Sequence, residues 1–334
     1  MDCSFLEFEA YTVTKETIET LSSCWLGPGQ HLAWNCPFVL PPFLGAWRSA
    51  FVARSDPALW AVRQGEAFLG IAPLLIRGNK ARFLGSPDVC DFLDFVVAPG
   101  RGREFFAVLI DHLRQQGVTH LDLEPLRPDS AVMSELVEVA RDLGHGVDCE
   151  RRDVSFELEL PATWDDFLDS LTGTQRHEIR RKLRRLQEAA EIRFRTVEGV
   201  PEVGKEMDLF LALFASSRRD KAAFMTRRMA SFFRSLAEAL AQAGILKLFF
   251  LELDAGPAAG VMCFDYGSSV YLYNNGYDRR FSSLSVGLIS KVLSIQEAIR
   301  WGRRRYDLLK GEEAYKRHLG GKPVPLYRCR VRIR

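Results

Sequence analysis

The strongest constraint on this 334-residue chain is a rhyme between its two halves. The stretch "QQGVTHLDL" in the first half matches "RWGRRRYDL" in the second. Gly117 and Asp122 recur as Gly302 and Asp307, with the same interval between them. The elements around each pair follow one order. In the first half, 59–63 and 67–76 read as paired strands across Gln64-Gly65, followed by short strands at 81–84 and 92–97. A helix over 103–116, stopped by Gly117, leads into a strand at 119–123. In the second half, strands at 246–253 and 258–265 flank the turn Asp254-Ala255-Gly256, and a third strand follows at 269–274. A helix over 284–301 carries Leu288, Val292, Ile295 and Ile299 on one face, stops at Gly302 and gives way to a strand at 305–309. A unit repeated at this length is the mark of an internal duplication. Alternating strands and helices place the chain in the α/β (α+β) class, with expected domains at 1–150 and 151–334.

Between the halves, 154–160 reads as a strand broken by Pro161, and 164–171 as a short helix. Thr172 and Gln175 stand at capping-box spacing before the basic helix "QRHEIRRKLRRLQEAA". Ile179, Leu183 and Leu186 fall on one face of that helix, and Arg176, Arg180 and Arg184 on another. A run of this kind is most often a solvated face. The alternatives are docking of a phosphorylated cofactor, with Arg176 and Arg180 as contacts, or of RNA. The helix lacks the aromatics that nucleic-acid modules interleave with basic residues, so tRNA is compatible with its charge but not signalled. Further helices are expected over 203–214 and 228–243.

A formal net charge of +2 demands neither nucleic acid nor an anionic membrane as partner. The seven cysteines include no C-x-x-C pair, which argues against zinc, and a chain of this size does not need a disulfide framework. The start "MDCSFLEFEA" lacks the basic and apolar regions of a signal peptide, and the apolar run at 67–76 is too short to span a bilayer. A reduced, cytoplasmic protein without a membrane span is expected. Oligomeric state does not follow from these features.

Three stretches could carry chemistry. In "YDLLKGEEAYKRHLGG", Gly311 lets the chain turn after a strand, and Glu312 and Glu313 suit the start of a short helix. Lys316, Arg317 and His318 suit its end. A capped, solvated helix explains all of this; the alternative is that Lys316 neutralises a phosphate or a developing oxyanion beside Tyr315, a candidate general acid. In "YDRRFSSLSVGL", Ser283 and Ser285 are good N-caps, and amides at Val286, Gly287 and Leu288 would point at an anion such as a pyrophosphate. This entry is neither a Walker A loop nor a dinucleotide fingerprint. In "GSPDVCDFLDF", Asp88, Asp91 and Asp94 could hold an amine or act as base, but lack calcium-loop spacing. Cys90 has no partner histidine at a recognisable spacing, and no G-x-S-x-G elbow is present.

Taken together, "YDLLKGEEAYKRHLGG", the preceding "GYDRRFSSLSVGLISKVLSIQEAIRWG", "LTGTQRHEIRRKLRRLQ" and "FLGSPDVCDFLDFVVAPG" resemble the CelD-like acetyltransferases of the GNAT superfamily. The most specific element is the spacing Asp307…Gly311…Tyr315-Lys316, with Lys310 where that family more often has arginine. The family is related to Fem-type aminoacyl transferases, which carry two GNAT-like halves. The resemblance implies two such halves, each a mixed, mostly antiparallel sheet flanked by helices. It implies acetyl-CoA or another acyl-CoA in the second half, with the pyrophosphate at 283–288 and the pantetheine arm at a splayed strand pair near Tyr271 to Asn275, where Tyr273 and Asn274 are the candidate contacts. It also implies an amine acceptor (a small molecule, sugar amine or peptide amine) in a cleft between the halves, and Tyr315 and Lys316 as site residues. A carboxylate such as Asp91 or Glu313 would take the amine's proton, with nothing in the sequence separating Asp91, Asp94, Glu312 and Glu313, and Asp94 is a candidate to hold the amine. The first half has "LDLEPLRPDS" where the second has its Tyr-Lys motif, and is expected to lack a cofactor. A Fem-like transferase using aminoacyl-tRNA and a non-catalytic member that binds an acyl-CoA or a protein partner are the alternatives.

Overall fold

The computed structural model describes residues 11–52, 58–254 and 256–334. Cys3, the start "MDCSFLEFEA" and Ala255 of the expected turn lie outside them. The chain divides into two compact units, Met1–Asp153 with Pro325–Arg334, and Val154–Val324.

The first unit opens with β1 (Tyr11–Glu16), α1 (Ile18–Leu26) and α2 (Pro41–Phe51). Thr17 and Thr20 close a capping box on α1, and Pro41 and Pro42 occupy the first turn of α2, where a missing N–H costs nothing. The chain continues through β2 (Ala58–Gln64), β3 (Ala67–Arg77), β4 (Lys80–Phe83), β5 (Val96–Val97), α3 (Gly102–Gln115), β6 (His120–Leu126), α4 (Val137–Asp142) and β7 (Gly146–Glu159). Strands β1 to β4 pair antiparallel, and β6 joins β4 in parallel after the crossover through α3. On its other edge β6 pairs with the C-terminal strand from Tyr327 to Arg332.

The strand expected over 92–97 shrinks to Val96–Val97. The reason is local: Leu93 N–H goes to the Pro125 carbonyl, and Asp94 turns aside to accept from Ala131 and Val132. Cys149 and Cys329, far apart in sequence, lie with their sulfurs 2.9 Å apart.

The second unit takes in the end of β7, then α5 (Trp164–Ser170), α6 (Gly173–Ala189), β8 (Arg193–Val197), α7 (Val200–Ser217), α8 (Arg219–Phe224), α9 (Arg227–Gln242), β9 (Leu246–Leu253), β10 (Gly256–Tyr266), β11 (Ser269–Tyr277), α10 (Val286–Arg300), β12 (Arg305–Lys310), α11 (Ala314–His318) and the first residues of β13 (Lys322–Arg332), whose remainder belongs to the first unit. Strands β8 to β11 form an antiparallel run, β12 adds to β11 in parallel, and β7 closes on β12 antiparallel. Alternation along β11 decides which helix meets which face. Val270 and Leu272 pack with Val292, Ile295, Ala298 and Ile299 of α10. Tyr273, pointing the opposite way, stacks on Phe233 of α9 with ring centroids 5.7 Å apart. Gly276 lets α7 approach the sheet, since a Cβ there would stand 2.3 Å from the Phe214 nitrogen.

The rhyme in the sequence has a backbone counterpart. After α3, Gly117 N–H bonds the Arg114 carbonyl (2.9 Å) and Val118 N–H the Leu113 carbonyl (2.9 Å). After α10, Gly302 N–H bonds the Ile299 carbonyl (2.8 Å) and Arg303 N–H the Ala298 carbonyl (3.0 Å). Both are Schellman stops, with φ of 79° at Gly117 and 71° at Gly302. Each releases the chain into a parallel strand beside an antiparallel meander. The two halves therefore share one plan, each a mixed, mostly antiparallel sheet flanked by helices.

Candidate active site

The parallel pairing of β11 and β12 extends over three residues only, from Ser269 with Arg305 to Tyr271 with Asp307. Beyond that point the strands part. A register shift between Asp307 and Leu309 bends β12 toward β7, and Leu309 takes a left-handed φ of 60°. Asp307, fully buried, fixes the bend by accepting from Leu309 N–H (2.8 Å) and Ser155 Oγ (3.2 Å). The parted strands expose backbone on β11 where an extended ligand could add hydrogen bonds.

The entry to α10 stands beside this opening. Asp278 accepts from Arg280 N–H and pairs with its guanidinium, which commits that arginine. Ser285 is the N-cap residue, in a left-handed conformation (φ 58°), and its side chain makes no capping bond. The capping expected of Ser283 and Ser285 is thus absent, because the 3-10 turn Arg279–Leu284 brings the chain in at a different angle. Leu288 N–H donates to the Ser285 carbonyl (2.9 Å), so its amide is taken. The amides of Val286 and Gly287 have no acceptor among the described residues. Gly287 is required by packing: a Cβ there would meet the Tyr277 ring at 2.6 Å.

From the other side come Glu313 and α11. Lys316, 2% exposed, gives its three N–H groups to the carbonyls of Leu309 (2.8 Å) and Lys310 (2.6 Å) and to Glu313 Oε2 (3.1 Å). It therefore ties the bend after β12 to α11. Burial raises the Glu313 carboxyl, but Lys316, a backbone N–H and Arg218 together outweigh it, and the net position is below the ordinary value. The Tyr315 ring lies under Lys291 of α10, whose Nζ is 4.5 Å from the ring centroid and bonds the Gly287 carbonyl (2.5 Å). Lys221 of α8 completes the corner, donating to the Asn275 carbonyl (2.5 Å).

The family model described as "Acetyltransferase (GNAT) domain" matches residues 173–317, the stretch that builds this corner. That stretch is similar to a GNAT domain. No curated protein matches it. Among solved structures, FemX is 10% identical with a TM-score of 0.64, covering 95% of this chain and 96% of that one. The C-terminal domain (DUF2156) of a provisionally named lysylphosphatidylglycerol synthetase from Agrobacterium fabrum is 14% identical with a TM-score of 0.62, covering 95% and 93%. L-PGS from Bacillus licheniformis is 11% identical with a TM-score of 0.59, covering 94% and 92%. At these identities the likeness is one of fold.

Within the matched stretch, Tyr315, Lys316 and Glu313 come together with Gly287 through Lys291. A bulge at Tyr273 interrupts the alternation: Asn274 pairs with Met262 and, like Gly276, lies on the α7-facing side of β11, away from Leu272. Tyr273 is 7% exposed between Phe233 and Phe264 and belongs to the core. Arg176 pairs with Asp169 at 2.8 Å, and Arg180 is exposed on α6. Gln175 reaches from α6 to the Arg317 carbonyl (2.7 Å), joining that helix to α11. Asp91 and Asp94 lie in the first unit. Asp94 accepts from the amides of Phe95 (2.9 Å), Ala131 (2.8 Å) and Val132 (3.4 Å), which makes it a helix cap. Lys221 and Lys291 were not foreseen. Lys291 had a signal, since it interrupts the apolar stripe of its helix; Lys221 had none.

Proposed function

We propose that the second unit transfers an acyl group from acyl-CoA to an amine, as the CelD-like resemblance implies. The observation that carries this reading is the parting of β11 and β12 directly beside the α10 entry with its uncommitted Val286 and Gly287 amides. An extended pantetheine could run along β11 while its pyrophosphate meets those amides. The thioester would then lie toward Tyr315. Attack by the amine pushes charge onto the carbonyl oxygen, which the cationic corner favours. The ionised Glu313 can accept the amine's proton, and the Tyr315 phenol can return one to the leaving thiolate. Because the Lys316 donors are occupied, its role in this scheme is to hold the β12 bend and Glu313 in place.

An aminoacyl-tRNA donor is the second reading, favoured by the FemX-like fold. Much of the charge on α6 is compensated locally, with Arg176 on Asp169, Lys182 on Glu178 and Arg184 near Glu188. That lowers the electrostatic gain available to RNA.

Calorimetric titration of acetyl-CoA and of bulk tRNA, followed by thiol release with a panel of amines, separates the two. Acetyl-CoA binding in the range of about micromolar, with amine-dependent thiol release, supports the first reading. Binding of tRNA without acetyl-CoA replaces it with the second, and binding of acetyl-CoA without turnover of any amine leaves a non-catalytic binding protein.

A further inference from the structure

Two lysines of the matched stretch carry more donors than the protein gives them acceptors. Lys291, 5% exposed, makes one hydrogen bond, to the Gly287 carbonyl, and half-buried Lys221 makes one, to the Asn275 carbonyl. Their other contacts are ring faces, Tyr315 at 4.5 Å and Phe214 at 4.7 Å. An ammonium has three N–H groups, so among the described residues each has two left over. Lys316 is the contrast, with all three matched. Buried polar groups are rarely left in this state without a reason.

The local charge balance points the same way. Lys221, Glu313 and Lys316 act on Lys291; Arg218, Asp220 and Glu313 act on Lys221. Arg218 and Asp220 pair with each other at 3.0 and 2.8 Å and largely cancel. Three lysines then face one carboxylate. Burial pushes the Lys291 ammonium down to about 7 and that of Lys221 to about 8, so the corner sheds protons when nothing neutralises it.

We infer that Lys221 and Lys291 form a receptor for a tetrahedral dianion, the phosphate group of a molecule handled beside Tyr315 and Lys316. The two ammoniums come from separate helices, α8 and α10; one bonds the Asn275 carbonyl near the parted end of β11, the other the Gly287 carbonyl at the α10 entry, and Lys221 acts electrostatically on Lys291. Point charges converging from different elements suit a tetrahedral anion, whereas a planar carboxylate is more often met by the fork of an arginine. The receptor rests on the acyl-transfer reading only for the statement that its ligand takes part in the reaction.

Sulfate is the probe, a tetrahedral dianion that does not titrate near neutrality. It is titrated into the full chain by calorimetry at low ionic strength, between pH 6.5 and 8.5, in two buffers of different ionisation heat. Binding should take up a fraction of a proton at pH 7.5 and weaken as pH rises. Lys291→Met and Lys221→Met should each weaken binding about tenfold or more and reduce the proton uptake, with thermal midpoints equal to or above wild type. Absence of sulfate binding to folded wild type overturns the inference, as does unchanged affinity and proton uptake in both variants. Repeating the titration with saturating acetyl-CoA identifies the source: lost sulfate binding assigns the phosphate to the donor, retained binding to the acceptor. If sulfate binds and acetyl-CoA does not, the acyl-CoA reading fails while the anion receptor stands.

Discussion

Lys291 Nζ stands 4.5 Å above the ring of Tyr315. One side chain thereby connects the entry of α10 to the Tyr315-Lys316 pair after β12. A cation over an aromatic face contributes about 0.5–2 kcal/mol depending on desolvation. This contact uses the ring and leaves the phenol to be judged separately. Tyr315→Phe is expected to keep stability within about 0.5 kcal/mol in thermal unfolding. If the phenol is the general acid, the same variant loses about 10²–10⁴ in amine-dependent thiol release. An unchanged rate would remove Tyr315 from the chemistry.

Lys291 also predicts a pH dependence of stability. Its folded value of about 7 lies below the ordinary lysine value, chiefly through burial, with Lys221 adding to the effect, Glu313 opposing it and Lys316 adding again. Between about pH 7 and pH 10 the unfolded chain holds this proton and the folded chain does not, so stability rises with pH across that window. Lys291→Met should abolish this component and be more stable than wild type by about 1–3 kcal/mol at pH 7. Urea unfolding of both proteins at pH 7, 8.5 and 10 gives the comparison; parallel curves would contradict it.

For Lys316 the expected cost is structural. Removing its ammonium leaves the carbonyls of Leu309 and Lys310 and the Glu313 carboxylate without their donor. Lys316→Met is therefore predicted to destabilise by about 3 kcal/mol or more. Hydrogen exchange should show Leu309 to Lys316 losing protection before the rest of the domain. A variant that unfolds like wild type but no longer turns over substrate would instead assign Lys316 directly to the reaction.

Asp94 is predicted to matter for folding and not for substrate. Asn can replace it as a cap, whereas Asp94→Ala should cost about 1–2 kcal/mol. Burial pushes its carboxyl up to about 7, against the opposing pull of the Ala131, Phe95 and Val132 amides. Between about pH 4 and 7 the folded state holds a proton that the unfolded state lacks, so this group's contribution falls as pH rises. Asp94→Asn should remove that slope and leave acetyl-CoA affinity unchanged. A large loss of affinity in this variant would return Asp94 to the substrate site.

The chain's own pattern determined the duplicated plan. Gly117 and Gly302 could be read as helix stops because a left-handed C-terminal residue favours glycine whatever surrounds it. The apolar stripe of α10 and the capping box at Thr172 were legible for the same reason, since both depend on neighbours within a few residues. Tertiary structure decided what those rules do not reach. Asp94 left its strand because a helix start distant in sequence offered amides. Ser285 lost its capping role to the 3-10 turn before it, and Tyr273 went to the core because Phe233 lies across from it. The Lys316 ammonium was spent on the bend at Leu309 and Lys310. Above all, Lys221 and Lys291 are separated along the chain, and only the fold brings them close enough to act on each other. Burial and charge in a folded protein depend on contacts remote in sequence, and those are set by how the helices pack on the sheet.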